Sequence, residues 1–459
     1  MSRWLYTAVG VCLLPWLVVY LQWRGIRQPA YRRHWGERFR GGGKGRNAFS
    51  GQERAGMPIL WIHAVSVGET RAAAPLITQW LGDAGQAARV VLTHSTPTGR
   101  ETGAHLLDDL IQAGRLVQAY LPYDLPWANA RFLRWAQPTA GLLMETELWP
   151  NLLSSAQRRG LPMALINARL SERSAKRFNQ FSALSRPALS CLGLVVAQSA
   201  ADADRLQAAG YTGEMVIAGN LKFDVLPDAA QVERGRAWRA LWPRPKAWLV
   251  VSSRDDEEAA IGQAWVEANP RGTPADTPAD TPADTLLVVV PRHPQRFERV
   301  VQILEKAGLR VMRRSAGLSL GAEVDCLVGD SLGEVASYVA ATDLALVGGS
   351  LMALGGQNPI EVCAQGRPVF FGPHMFNFQA ISRDLSRAGA GFEVRSASEW
   401  IAQARELVAK GPAYRDAATA AGSFASQHRG AVDRTYLALM SWLMASRSAG
   451  PRPPTAARS

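Results

Sequence analysis

Four glutamates and a series of strand-end cations are the residues of this chain best equipped for chemistry. Glu69 stands in the segment His63-Ala64-Val65-Ser66-Val67-Gly68-Glu69-Thr70, where Gly68 permits a tight turn into a helix. A carboxylate at such a strand-to-helix mouth is placed to take a proton from a hydroxyl. As a first-turn acid it would equally complement the helix dipole. Glu145 and Glu147 stand in Glu145-Thr146-Glu147-Leu148-Trp149-Pro150-Asn151, at the expected end of a strand, where open α/β sheets bind ligands. Two acids beside an apolar Leu-Trp-Pro step are costly to place without a partner. The next strand end, Asn167-Ala168-Arg169-Leu170-Ser171, offers Arg169 to an anion. Gly219-Asn220-Leu221-Lys222-Phe223-Asp224 offers Lys222, although a lone lysine is more often solvated surface.

A glycine-rich loop carries the fourth glutamate. Gly348-Gly349-Ser350-Leu351 and then Gly355-Gly356-Gln357-Asn358-Pro359-Ile360-Glu361 follow the apolar run Leu344 to Val347. The glycines let the backbone approach an anion, and the N–H groups of a helix start would point at it. Asn358, Pro359 and Glu361 also suit the N-cap, N1 and N3 positions of an ordinary capped helix. Capping alone does not require four glycines in nine residues, so a nucleotide-phosphate site is expected here. Three further strand-end loops have the same topology: Ser252 to Glu258 with Arg254, Pro291 to Pro294 with Arg292 and His293, and Gly329 to Glu334. Their cations suit phosphate or base. There is no HExxH, Walker, CxxC or Gly-x-Ser-x-Gly motif, and Asp202-Ala203-Asp204 reads as first-turn acids, so neither metal nor cofactor is expected.

The elements that must position these residues alternate regularly. Candidate strands are Ile59–His63, Val90–Thr93, Val117–Leu121, Gly141–Glu145, Met163–Asn167 and Leu194–Ala197, with helical spacing over Ala72–Leu81 and Trp127–Ala136. A second series comprises Trp248–Ser252, Leu286–Val290, Leu309–Met312, Asp325–Val328, Leu344–Val347 and Val369–Phe371. The pattern predicts an α/β fold of two Rossmann-like domains facing a cleft, divided between Asp224 and Pro245. A Thr-Pro-Ala-Asp unit repeated three times over 273–285 reads as a surface loop expansion.

Lys and Arg outnumber Asp and Glu by 51 to 39, a net charge of +12, which points to anionic partners. The basic residues gather beside an apolar segment and not along an aromatic-studded groove, which argues against nucleic acid. Trp4 to Trp23 is uncharged for twenty residues, about 30 Å as a helix, with Pro15 as a possible kink. Behind it lie Arg24, Arg27, Arg32, Arg33, Arg38, Arg40, Lys44 and Arg46, opposed only by Glu37. The positive-inside rule then predicts an N-terminal transmembrane anchor with a cytoplasmic body, the collar gripping anionic lipid. The expected divisions are 1–25 anchor, 26–228 and 229–446 domains, and 447–459 disordered tail. Cys12, Cys191, Cys326 and Cys363 match no metal spacing and read as reduced, buried thiols.

In this order, His63–Glu69, Tyr120–Asp124, Met144–Asn151, Asn167–Ser174, Gly219–Asp224, Pro291–Pro294, Gly348–Leu351, Asn358–Glu361 and Gly372–Phe378 closely resemble the 3-deoxy-D-manno-octulosonic acid (Kdo) transferases of Gram-negative bacteria. The resemblance covers nearly the whole chain. It implies a GT-B glycosyltransferase that moves Kdo from CMP-Kdo to a lipid A precursor (lipid IVA) at the bacterial inner membrane. Anomeric inversion and Glu69 as general base are implied with it. It also implies that 26–228 binds the acceptor and 229–446 binds CMP-Kdo. Arg292, His293, Gly349, Ser350, Asn358 and Glu361 would lie on the CMP side, and Glu145, Glu147, Arg169 and Lys222 would face Kdo or acceptor. Many members have His where this chain has Arg254 and Gln357, and a guanidinium does not copy a titratable imidazole. The competing readings are a GT-B enzyme with a UDP-sugar donor and a non-catalytic, membrane-tethered lipid-binding protein on the same scaffold.

Overall fold

The computed structural model describes residues 2–43, 45, 47–49, 57–255, 257–269 and 284–448. Two compact units are formed, one by 1–225 together with 429–459 and the other by 226–428. The Thr-Pro-Ala-Asp repeat lies almost wholly outside the described residues, as do Lys44, Arg46 and 449–459.

In the first unit, short apolar runs become β1 (Ile59–His63), β2 (Arg89–His94), β3 (Leu116–Tyr120), β4 (Ala140–Met144), β5 (Met163–Ala168), β6 (Leu194–Ala197) and β7 (Glu214–Ile217). All neighbours pair parallel in the order β3-β2-β1-β4-β5-β6-β7. Side chains alternate across a strand, so Leu60 and Ile62 enter one core while Ile59 and Trp61 enter the other. A sheet buried on both faces explains why these strands read as continuous apolar runs. β7 escaped the sequence reading because Glu214-Met215-Val216-Ile217 is a half-exposed edge without that signature.

The second unit repeats the plan with β8 (Lys246–Ser253), β9 (Thr285–Pro291), β10 (Val311–Arg313), β11 (Cys326–Val328), β12 (Leu344–Val347), β13 (Val369–Phe371) and β14 (Gly391–Glu393). These are also parallel, in the order β10-β11-β9-β8-β12-β13-β14. β14, three residues with one glycine, was likewise not foreseen. In each sheet the chain leaves its first strand in both directions, which sets a switch point between β1 and β4 and another between β8 and β12.

The second unit stops at His428, not near 446 as expected. The helix Ala431–Ser448 returns to the first unit, burying Ala431, Val432, Tyr436, Leu439 and Trp442 in its core. Its start is fixed by Asp224, whose two carboxylate oxygens accept the Gly430 and Val432 N–H groups, each at 2.6 Å. The helix runs into the expected tail, through Ser448.

The expected single anchor is instead two helices, Arg3–Cys12 and Leu14–Arg27. The pair is bent by 50°, and no single helix among the described residues is long and apolar enough to cross a membrane. Pro15 in the first turn of the second helix accounts for the break, since it lacks an N–H and its ring crowds the preceding turn. The pair still exposes much apolar surface: Trp4 is 82% exposed, Trp16 72% and Ile26 70%. The cationic collar is also smaller than expected. Arg38 is buried over the Tyr120 ring and donates to the Ser95 carbonyl at 2.9 Å, so it is a structural residue and not a headgroup ligand. All four cysteines are free, but only Cys326 and Cys363 are buried, while Cys191 is half-buried and Cys12 exposed.

Candidate active site

The first switch point gathers the first unit's carboxylates. β1 ends at His63, and the chain turns through Ala64 and Val65 into the helix Val67–Asp83, with Ser66 as N-cap. Glu69, at the third helical position, exchanges hydrogen bonds with the Ser66 side chain. Ser66 Oγ accepts the Glu69 N–H at 3.5 Å and donates to Glu69 Oε1 at 3.0 Å. Glu69 Oε2 accepts the Val65 N–H at 2.9 Å. The bonds from Val65 and Ser66 fix the carboxylate in a single orientation. Burial pushes Glu69 up to about 7, the charge of Glu145 adds to this, and the bond from Val65 opposes it. Glu147 contributes in the same direction as Glu145, and Ser66 opposes. A carboxyl group that titrates near neutrality, with oriented oxygens, has the properties of a general base.

Glu145 follows β4 directly in the left-handed region, with φ of +57°, a conformation that turns the chain sharply at the strand end. Its carboxylate pairs with Lys222 Nζ at 2.7 Å, and Lys222 Cε passes within 3.8 Å of where a side chain on Gly68 would begin. Lys222 is therefore drawn in beside the Glu69 helix start and is not a solvated lysine. Glu147 Oε2 accepts the Trp149 indole N–H at 2.8 Å, and burial holds Glu147 above the usual carboxylate range. Trp149 meets the His63 ring edge-on at 6.2 Å. His63 is fully buried, donates from Nδ1 to the Thr93 carbonyl, and is pushed by burial down to about 3, so it is a neutral wall residue. Asp124 holds the loop from behind. Its oxygens accept the Asn151 N–H at 3.0 Å and the Leu152 N–H at 2.8 Å. Arg169 lies at the next strand end, where its N–H donates to the Glu145 carbonyl at 3.3 Å.

The second switch point is organised around an acid that sequence reasoning quoted without assigning it a role. Glu257, 1% exposed, accepts the N–H groups of Gly349 and Arg254 on Oε1, each at 2.7 Å. It thereby ties the loop after β8 to the glycine-rich loop after β12. Burial pushes it up to about 7 despite both bonds. Its neighbour Glu258, fully buried, accepts from Ser253 Oγ and from Arg296, each at 2.8 Å. The signal available in sequence was four consecutive acids, 255–258, one residue after a strand.

The glycines answer mainly to close packing. A Cβ on Gly348 would stand 2.3 Å from the Ser252 carbonyl oxygen, and one on Gly372 would stand 2.2 Å from that of Ser350. Gly349 adopts φ of +68° with the Arg254 side chain against it. Ser350 is fully buried. Its hydroxyl donates to the Val347 carbonyl and accepts the Gly372 N–H at 2.8 Å, so this side chain braces the loop and offers no hydroxyl outward. The Gly356 and Gln357 N–H groups return to the Gly349 and Gly348 carbonyls, which brings Asn358 and Glu361 beside the loop. Asn358 Oδ1 accepts the Ile360 N–H at 3.1 Å, just ahead of the one-turn helix Ile360–Cys363 that holds Glu361, whose N-cap position falls on Pro359 and not on Asn358 as expected. Arg292, exposed after β9, is anchored by its N–H to the Ser253 carbonyl at 3.0 Å, with His293 next to it.

The structure thus brings Glu69, Glu145, Glu147, Arg169 and Lys222 together in the first unit. It gathers Gly349, Ser350, Asn358, Glu361, Arg292 and His293 around the glycine loop and adjoining strand end in the second. Two parallel α/β units, each with its polar groups at a switch point, form a GT-B-like class of fold. A UDP-GlcNAc 2-epimerase from Neisseria meningitidis matches with a TM-score of 0.55 at 13% identity, covering 84% of this chain and 100% of that one. A glycosyltransferase from Rickettsia africae ESF-5 also gives 0.55, at 12% identity over 85% and 98%. Such likeness concerns the fold alone.

Sequence relatives go further. Residues 33–225 match the family model described as 3-Deoxy-D-manno-octulosonic-acid transferase (kdotransferase). A 3-deoxy-D-manno-octulosonic acid transferase of Bordetella pertussis is 44% identical over 404 residues, 85% of this chain and 89% of that protein. Its namesake in Haemophilus influenzae is 32% identical over 441 residues, 95% and 97% of the two chains. The chain belongs to the 3-deoxy-D-manno-octulosonic acid transferase family of glycosyltransferases.

Proposed function

We propose that the protein transfers Kdo from CMP-Kdo to a lipid A precursor in lipopolysaccharide biosynthesis, with inversion at the anomeric carbon and Glu69 as general base. The acceptor hydroxyl gives its proton to Glu69 as its oxygen bonds to the anomeric carbon. The bond from that carbon to the phosphate oxygen breaks, and the electron pair leaves with CMP. The observation that carries this reading is the oriented, buried carboxyl of Glu69, pushed up to about 7 at the switch point. Lys222, paired with Glu145, supplies a cation beside an anionic sugar, and Arg169 stands at the adjoining strand end.

In the second unit, Arg292 and His293 are the side chains assigned to CMP, with Glu361 on the ribose and Asn358 and the Gly349 backbone near the phosphate. Cations there stabilise the departing phosphate. The second unit is accordingly the CMP-Kdo-binding domain and the first the acceptor domain. The bent N-terminal helix pair, with its exposed Trp4, Trp16 and Ile26, fits a bilayer contact at the inner membrane, the body remaining cytoplasmic and the remaining collar arginines meeting anionic lipid.

The test uses purified protein in detergent with CMP-Kdo and tetraacylated lipid A precursor, comparing wild type with Glu69→Ala by mass spectrometry. Mass gains in Kdo units, abolished in the variant, are expected. No gain by wild type, with substrates verified on an active relative, would sink the reading.

A further inference from the structure

Beside the Glu145–Asn151 loop the first unit contains a cavity of about 220 Å³, whose lining includes Tyr6, Leu148, Phe178, Phe181, Leu184 and Arg177. This is far above the ~10–15 Å³ that one water needs. Its polar lining atoms are largely engaged elsewhere. The Tyr6 hydroxyl is hydrogen-bonded to Asp124, and Ser185 Oγ donates to the Phe178 carbonyl at 2.7 Å. A polar ligand finds little to bind there, whereas a hydrocarbon chain finds rings and aliphatic side chains.

Three observations identify the occupant. First, Leu148 adjoins Glu147, so whatever fills the cavity lies against the loop that carries two of the candidate carboxylates. Second, the wall contributed by Tyr6 belongs to the helix Arg3–Cys12, which also exposes the apolar Trp4, Leu5 and Val9. Third, the helix Glu172–Gln180 carries Arg173, Lys176 and Arg177, all exposed, at i, i+3 and i+4. That spacing sets three cations on one face, with Arg177 at the cavity itself. A ligand matching all three has a hydrocarbon tail, an anionic head and a position beside the transfer site.

We infer that this cavity receives an acyl chain of the acceptor, and that the Arg173–Lys176–Arg177 face meets the acceptor's phosphate. Seating the chain fixes how far the sugar hydroxyl stands from Glu69, so acyl-chain preference is set here. The inference rests on the proposed function and deepens it.

Two variants test it in the full-length protein in detergent. Leu184→Trp fills the cavity, and Phe181→Glu places a charge at its 42%-exposed rim. The first measurement is saturable binding of parinaric acid, a fluorescent acyl chain, which needs no turnover. Binding by wild type, weakened about tenfold in both variants, is expected, since small steric changes in apolar pockets have effects of about that size. The second is the ratio of kcat/KM for acylated over deacylated acceptor with the same phosphates, which should fall about tenfold in both variants. Unchanged probe binding in both variants overturns the cavity as an acyl site. Weakened probe binding with an unchanged ratio would assign it to a bilayer lipid and overturn the acceptor reading. No Kdo transfer by wild type to either acceptor would defeat the proposed function, leaving the probe measurement to decide the cavity by itself.

Discussion

The sharpest prediction concerns the charges around Glu69. Its carboxyl is pushed from 4.5 up to about 7, first by burial and next by Glu145, which is itself neutralised in part by Lys222 at 2.7 Å. Glu145→Gln removes the like charge and leaves Lys222 without its partner carboxylate, and both changes favour ionised Glu69. Because burial persists, only part of the shift is lost, about one unit by comparison with known carboxylate pairs. The base is active when deprotonated, so the acid limb of kcat/KM moves from about pH 7 to about pH 6. At pH 6 the deprotonated fraction then rises from about a tenth to about a half. Lys222→Met works in the opposite direction: it exposes Glu69 to an unpaired Glu145 and moves the limb above pH 7. The assay is CMP release at limiting acceptor across pH 5 to 9, with transfer checked by mass spectrometry. Limbs that stay with wild type, or that move the same way in both variants, would refute the reasoning.

Other outcomes are equally specific. Glu69→Gln should lower transfer by about 10²- to 10⁴-fold while leaving CMP affinity intact, as calorimetry would report. The same variant reports on linkage. The folded pKa is raised, so stability from Glu69 is present at low pH and lost as pH rises from 4.5 through about 7. Glu69→Gln should therefore gain up to about 3 kcal/mol at pH 8 and nothing at pH 4, read from denaturant midpoints. Gly348→Ala, whose methyl group would meet the Ser252 carbonyl at 2.3 Å, should destabilise the second unit by about 2 kcal/mol or more. Gly36→Ala, with open space around it, should change stability by no more than about 0.5–1 kcal/mol in thermal melts. Asp224→Ala removes two 2.6 Å bonds at the start of the last helix and should cost about 2 kcal/mol, with hydrogen exchange rising first over Ala431–Ser448.

Much of the architecture was legible in sequence because parallel strands buried on both faces are apolar at most positions. Ile59–His63, Leu194–Ala197, Leu344–Val347 and Val369–Phe371 were found with their observed bounds for that reason. Glu214–Ile217 and Gly391–Glu393 lie at sheet edges, where the requirement lapses and the signal with it. The candidate site was legible only as separate strand-end segments, since the switch points that gather them follow from strand order. Strand order itself, however, is a tertiary fact.

By itself, the sequence determined the α/β alternation, the strand-end positions of the carboxylates and cations and, through its motifs, the family. Each is a local property of a few neighbouring residues. Tertiary structure alone decided that Lys222 pairs with Glu145 77 residues away, that Glu257 holds Gly349, and that Ser350 faces inward. It also withdrew Arg38 from the surface and returned the last helix to the first unit. Charge and burial depend on distances between segments remote in the chain. The same is true of the shift that brings Glu69 near neutrality, which arises from desolvation and from a carboxylate on another strand end.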